Sequence, residues 1–229
     1  MMLRVAAATM CVLLLALPAG AADKVAYSIK VQDKSAPPKD LPDAVRKLLV
    51  ERSVQLLDAK GEVLAEVWMR KEVPAKATEA QIKNGLTYRE VPETTLLGVV
   101  KVVKQSSDYR KQKVPVGLYT LRLGNQPQDG DHMGTAPYSE FMLLSPIKDD
   151  KGAETMEVKA LQELSAKTTN NHPAVWLMFP PDKGTGEPKL ADKGDGHWVL
   201  FFKQDVLVDS KKASMGMGIA LIGHAASAE

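Results

Sequence analysis

Between residues 113 and 145 a stretch of side chains alternating with period two, a glycine-rich connection and an apolar run follow one another. This pattern restricts the fold more than any other stretch. Beyond Pro115 and Gly117, Tyr119, Leu121 and Leu123 fall on one side and Leu118, Thr120 and Arg122 on the other. A strand places successive side chains on opposite faces, whereas a helix would scatter this pattern around its axis. The connection then runs Asp129, Gly130, Asp131, His132, Met133, Gly134, and an apolar run at 141–144 closes a strand–loop–strand unit.

The rest of the chain repeats the theme. Val25, Tyr27, Ile29 and Val31 share one face of a first strand. Three prolines mark 35–42 as loop, and 43–51 has the spacing of one short helix. Residues 53–69 predict a hairpin around Asp58-Ala59-Lys60-Gly61, with the glycine at a left-handed bulge position. Thr78 and Gln81 make a capping box for a helix at 79–84 that stops at Gly85. A valine-rich strand follows at 96–103, and Val158, Leu161 and Leu164 give a weakly amphipathic helix at 156–167. The continuous apolar run at 174–179 predicts a strand buried on both faces. Residues 182–196 predict a glycine- and lysine-rich loop, and strands are expected at 198–202, 206–208 and 219–222. About eight or nine mostly antiparallel strands with two or three short helices define an all-β chain, read as a single β-sandwich. Nothing alternates strand and long helix as a parallel sheet requires.

The N-terminus has a different character. Arg4, an uncharged apolar stretch at 5–17, and a small-residue end with Ala19 and Ala21 spaced as Ala-x-Ala form a secretory signal peptide over 1–22. The β-sandwich domain then spans 23–229. The apolar stretch is shorter than the ~20 residues a membrane span needs. Cys11 is the only cysteine and lies in the leader, so the processed chain uses no disulfide or thiol chemistry. Removing Arg4 from 30 basic residues leaves 29 against 28 acidic ones. That balance gives no electrostatic attraction to nucleic acid, and no later run reaches membrane length. A periplasmic or secreted soluble protein is expected, with an unknown protein or small ligand of the cell envelope as partner.

Site chemistry concentrates in the connections. The 129–134 loop combines carboxylates, an imidazole and glycines, which makes Asp129, Asp131, His132 and nearby Tyr138 candidate ligand-binding residues. It lacks the regular acidic alternation of an EF-hand, and Asp-Gly pairs are also ordinary turn chemistry. His172, beside Asn170 and Asn171, and His197, beside Asp192 and Asp195, also flank strands. If these loops meet, His132, His172 and His197 with Asp131 or Asp195 form a divalent-metal site, and a metal-dependent hydrolase becomes the alternative function. His224, near the terminus, has no assigned role. A carbohydrate-binding face is the second alternative, built from Trp68, Tyr88, Tyr109, Tyr138, Trp176 and Trp198, although strand-borne aromatics more often fill cores. No Gly-x-Ser-x-Gly elbow, His-Glu-x-x-His pair, phosphate loop or dinucleotide fingerprint is present.

The pattern Pro115, Gly117, Tyr119, Thr120, Leu121 resembles a strand signature of secreted prealbumin-like β-sandwiches. With the DGDHMGTAPYSEFMLL segment at 129–144 and the MGMGIALIGHA tail, the chain looks like a group of uncharacterised exported bacterial proteins. The resemblance implies a β-sandwich and export, and it brings no reaction, ligand or catalytic residue with it.

Overall fold

In the computed structural model, which describes residues 27–127, 135–180 and 186–226, the period-two segments are strands. The N-terminal part holds β1 (Ser28–Gln32), β2 (Ser53–Leu57), β3 (Val63–Met69), β4 (Val73–Ala75) and β5 (Leu96–Val102). β6 (Ser106–Ser107) and β7 (Lys113–Val114) make a small separate ladder. β8 (Gly117–Asn125), β9 (Glu140–Pro146), β10 (Ala174–Phe179), β11 (Lys189–Asp192), β12 (Trp198–Val208) and β13 (Lys211–Ile222) complete the set. Three helices interrupt them: α1 (Asp43–Arg46), α2 (Glu79–Asn84) and α3 (Val158–Thr169).

The strands join in one path, β1-β2-β3-β5-β8-β9-β10-β13-β12-β11, antiparallel throughout, while β4 pairs with β12 in parallel. The mostly-β expectation stands. The strands are more numerous than expected, and the pairing path is one large curled sheet of ten strands. The curl brings β1 back toward β11, where the Tyr27 and Trp198 rings meet edge to face with centroids 5.6 Å apart.

Alternation decides which face is filled. Tyr119, Leu121 and Leu123 of β8 join Val54, Leu56, Trp176, Met178, Leu200, Phe202, Met215 and Met217 in the main core, enclosed by the curl. Opposite-facing residues build two outer clusters. Trp68, Leu96 and Val99 pack beneath Leu41, Val45 and Leu49, while Phe141, Leu143, Leu177, Phe179, Val199 and Phe201 pack with Leu161 and Tyr109. β10 therefore contributes to cores on both sides, as its unbroken apolar run requires.

β8 also carries a buried ion pair on its outer face. Arg122, with 0% exposure, spends all its N–H donors on the Asp150 carboxylate and the carbonyls of Thr94, Gly152 and Glu154, at 2.7–3.0 Å. Thr120 Oγ1 donates to Asp150 Oδ2 at 2.5 Å. A buried guanidinium is tolerated only when fully paired in this way. The clasp ties the connection after β9 to the sheet.

β10 is also where the sheet changes direction. Its first four residues pair with β9, Ala174 opposite Leu144 through Leu177 opposite Phe141. Only its last two, Met178 and Phe179, pair with β13, opposite Ile219 and Gly218. Two devices fill the split. The buried Tyr88 hydroxyl donates to Phe179 O at 2.7 Å and accepts from Gly218 N at 2.8 Å. On the other side, Tyr109 N donates to Val175 O and Ala225 N donates to Tyr109 O, both at 2.8 Å. Asp108 reinforces this wedge: its carboxylate accepts from the main-chain N–H of Arg110, Gln112 and Val175 and from Gln112 Nε2.

Candidate functional site around the β10–β13 split

The outer mouth of the split gathers side chains from five separate stretches. His197 ends the turn between β11 and β12, where Gly194, Asp195 and Gly196 all have positive φ and Asp192 Oδ1 accepts from Gly194 N at 2.9 Å. This turn chemistry explains the Asp-and-glycine richness of the segment. The His197 ring lies between Tyr109 and Phe179, with centroids 5.9 and 6.0 Å away. Its third wall is Gly223, at φ +138°, where an added Cβ would sit 2.3 Å from His197 Cδ2. Only glycine leaves room for the imidazole there.

His197 Nδ1 lies 3.3 Å from Gly194 O, a long contact in which the carbonyl can only accept. Nε2 of the same ring is buried with no hydrogen-bond partner among the described residues. Such an orphan is uncommon in a folded chain, which singles this ring out from the other histidines.

Next to it, Ser107 Oγ and His224 Nε2 are 2.6 Å apart. Burial lowers the proton affinity of His224, helped by the positive charge of Lys111 and by His197 and opposed by Asp108. The ring is thus held toward its neutral form, in hydrogen-bond contact with the serine hydroxyl. Ser107 and His224 have the spacing of a nucleophile and its base, but the Asp108 carboxylate is committed to the wedge rather than to orienting the imidazole.

Tyr138 is the one predicted ligand-binding residue within the described residues. It packs edge to face on Phe179 with centroids 5.0 Å apart, so it borders the same mouth as His197. Asp129, Asp131 and His132 lie outside the described residues. The base of their loop is pinned beside the mouth, where Gln126 N donates to Ser139 O at 2.7 Å and Gln126 Nε2 donates to Thr135 Oγ1 at 2.6 Å.

The other predicted residues within the described part lie in exposed connections. His172 is exposed, its main-chain N–H donating to Gln112 Oε1 at 3.1 Å, and Asp195 is exposed on the β11–β12 turn. Among the described residues no three histidine, cysteine, aspartate or glutamate side chains come together as metal ligands. Of the aromatics, Trp68, Tyr88, Tyr109 and Trp176 are buried and serve the core, whereas Tyr138 and Trp198 are partly exposed. Sequence reasoning missed Ser107, Tyr109 and His224 as a group because only the β10–β13 geometry brings them together. No helix among the described residues is long and apolar enough to cross a membrane.

The fold thus defines a class: a curled, mostly antiparallel sheet with α1 and α3 on its outer face and a polar–aromatic mouth at its split. Compared with protein-family models, curated proteins and solved structures, the chain matches none.

Proposed function

We propose that the chain is an exported binding module of the bacterial envelope, which takes a protein or small ligand at the outer mouth of the β10–β13 split. The curl is read as a β-sandwich hinged on β10, its two halves facing each other across the main core. The leader at 1–22 and the resemblance to exported prealbumin-like proteins support the location. One observation carries the site: His197 Nε2 is buried, with no partner among the described residues, inside an aromatic wall that Tyr138 borders. The enclosed side of the sheet is filled by side chains, which leaves the outer connections to meet a ligand.

The alternative, a metal-dependent hydrolase using His132, His172, His197 and Asp131, demands that the 129–134 loop and His172 come to His197. The carbohydrate reading demands contact through Tyr138 and Trp198, the partly exposed aromatics.

Long-range proton–nitrogen spectra of the imidazole rings separate these readings. Fractionated envelope extract is expected to shift His197 and leave His172 unmoved. A response to zinc shared by His132, His172 and His197, and lost in His132→Ala, would transfer the assignment to the metal reading. A response to soluble glycan lost in Trp198→Ala would support the carbohydrate reading. No response of His197 to any of these would refute the site.

A further inference from the structure

A second site lies away from the split. An open cleft of about 320 Å³ is bounded by Leu48, Pro74, Ala153, Arg70, Glu154 and Thr155. Arg70 is rigidly held at its main chain: its N–H donates to Leu97 O and its carbonyl accepts from Gln204 Nε2, both at 2.8 Å. Its guanidinium is not. Among the described residues Nε is buried without a partner, and the side chain's one hydrogen bond is a long 3.4 Å contact from Nη1 to Leu96 O. No carboxylate of the described residues forms an ion pair with it, while burial, opposed by Glu154 and helped by Arg122, lowers its proton affinity. A half-buried guanidinium without a charged partner is costly, and planar carboxylates are the ligands its fork fits.

Glu154 stands on the same cleft, near enough to act on Arg70 electrostatically yet not paired with it. Its placement is fixed by the Arg122 clasp, since Arg122 Nη1 donates to Glu154 O and Nη2 donates to Gly152 O. The cleft therefore presents one positive and one negative group, held apart, over the apolar surface of Leu48 and Pro74. A simple anion would be repelled by Glu154, and a simple cation by Arg70. A dipolar molecule satisfies both.

We propose that this cleft binds a small α-amino acid as its zwitterion, with the carboxylate on Arg70, the ammonium toward Glu154 and an aliphatic side chain over Leu48 and Pro74. L-Leucine is the probe, added in millimolar excess while main-chain amide shifts are followed and affinity is measured by calorimetry. Shifts confined to 44–48, 70–74 and 153–155 are expected, with Tyr138 and His197 unmoved, so the outcome is independent of the site at the split. Glu154→Gln, an exposed and structurally safe change, is expected to weaken binding about threefold, and Arg70→Gln about tenfold. 4-Methylpentanoate, which lacks the ammonium, and leucinol, which lacks the carboxylate, test the same two contacts without altering the protein. Both are expected to bind more weakly than leucine. The proposal is overturned if leucine moves no amide in the cleft. It is equally overturned if 4-methylpentanoate binds as tightly as leucine and Glu154→Gln changes nothing, which would mean that Arg70 alone recruits anions.

Discussion

Tyr88 shows how one side chain secures a sheet at its weakest joint. Its hydroxyl replaces the ladder where β10 and β13 share only two residue pairs, and burial pushes its proton affinity well above the ordinary phenol value. Tyr88→Phe keeps the ring but strands the Phe179 carbonyl and the Gly218 N–H in the interior. A loss of about 1–3 kcal/mol is expected from denaturant midpoints, because unmade buried hydrogen bonds cost their full desolvation. His224 supplies the pH dependence. Its proton affinity in the folded chain lies below the ordinary value of 6.5, so its contribution to stability is present above that pH. The contribution is lost as pH falls from there through the lowered value. His224→Gln should flatten the stability profile just below pH 6.5, and an unchanged slope there would contradict this assignment. At this scale the sequence was half legible. Tyr119, Leu121 and Leu123 face the core as alternation demands, but Ser107 and His224 are separated by 117 positions and no local pattern joins them.

Among elements, those with local chemistry were readable and those without it were not. Thr78 Oγ1 accepts from Gln81 N at 3.3 Å while Gln81 Oε1 accepts from Thr78 N at 2.8 Å, and Gly85 ends α2 at φ +99°, as the capping box predicted. The β2–β3 turn likewise has Gly61 at φ +77°. The β12–β13 hairpin was hidden. Its two-residue turn is Asp209-Ser210, both at positive φ, with neither the glycine nor the asparagine that usually announces such a turn. Read without it, β12 divided into two strands and β13 shrank to 219–222. Ser210→Gly removes this strain and is expected to stabilise the protein by about 0.5–1 kcal/mol, visible as a raised thermal midpoint. The edge strand β11 also went unread inside its loop. α3 was found, though its apolar stripe is only part of its docking: beside Leu161, Ser165 and Thr168 are buried and donate to Leu144 O at 2.9 and 2.8 Å.

At the level of the whole molecule, the mostly-β class follows from the period-two segments, while the curl does not. Strand order depends on β10 exchanging β9 for β13 partway along its length, a non-local choice that neighbouring residues leave open. That exchange creates the split, and with it the mouth where Tyr138, His197 and the Ser107–His224 pair sit. The central claim is that ligand contact occurs there rather than at the exposed tip of the β2–β3 turn around Lys60. A photoreactive amino acid placed at position 138, and separately at position 60, tests this in intact cells expressing the full chain. The account predicts a discrete crosslinked adduct on the processed protein from position 138 and none from position 60. Adducts from position 60 alone, or a chain retained in the cytosol with Met1 in place, would contradict it.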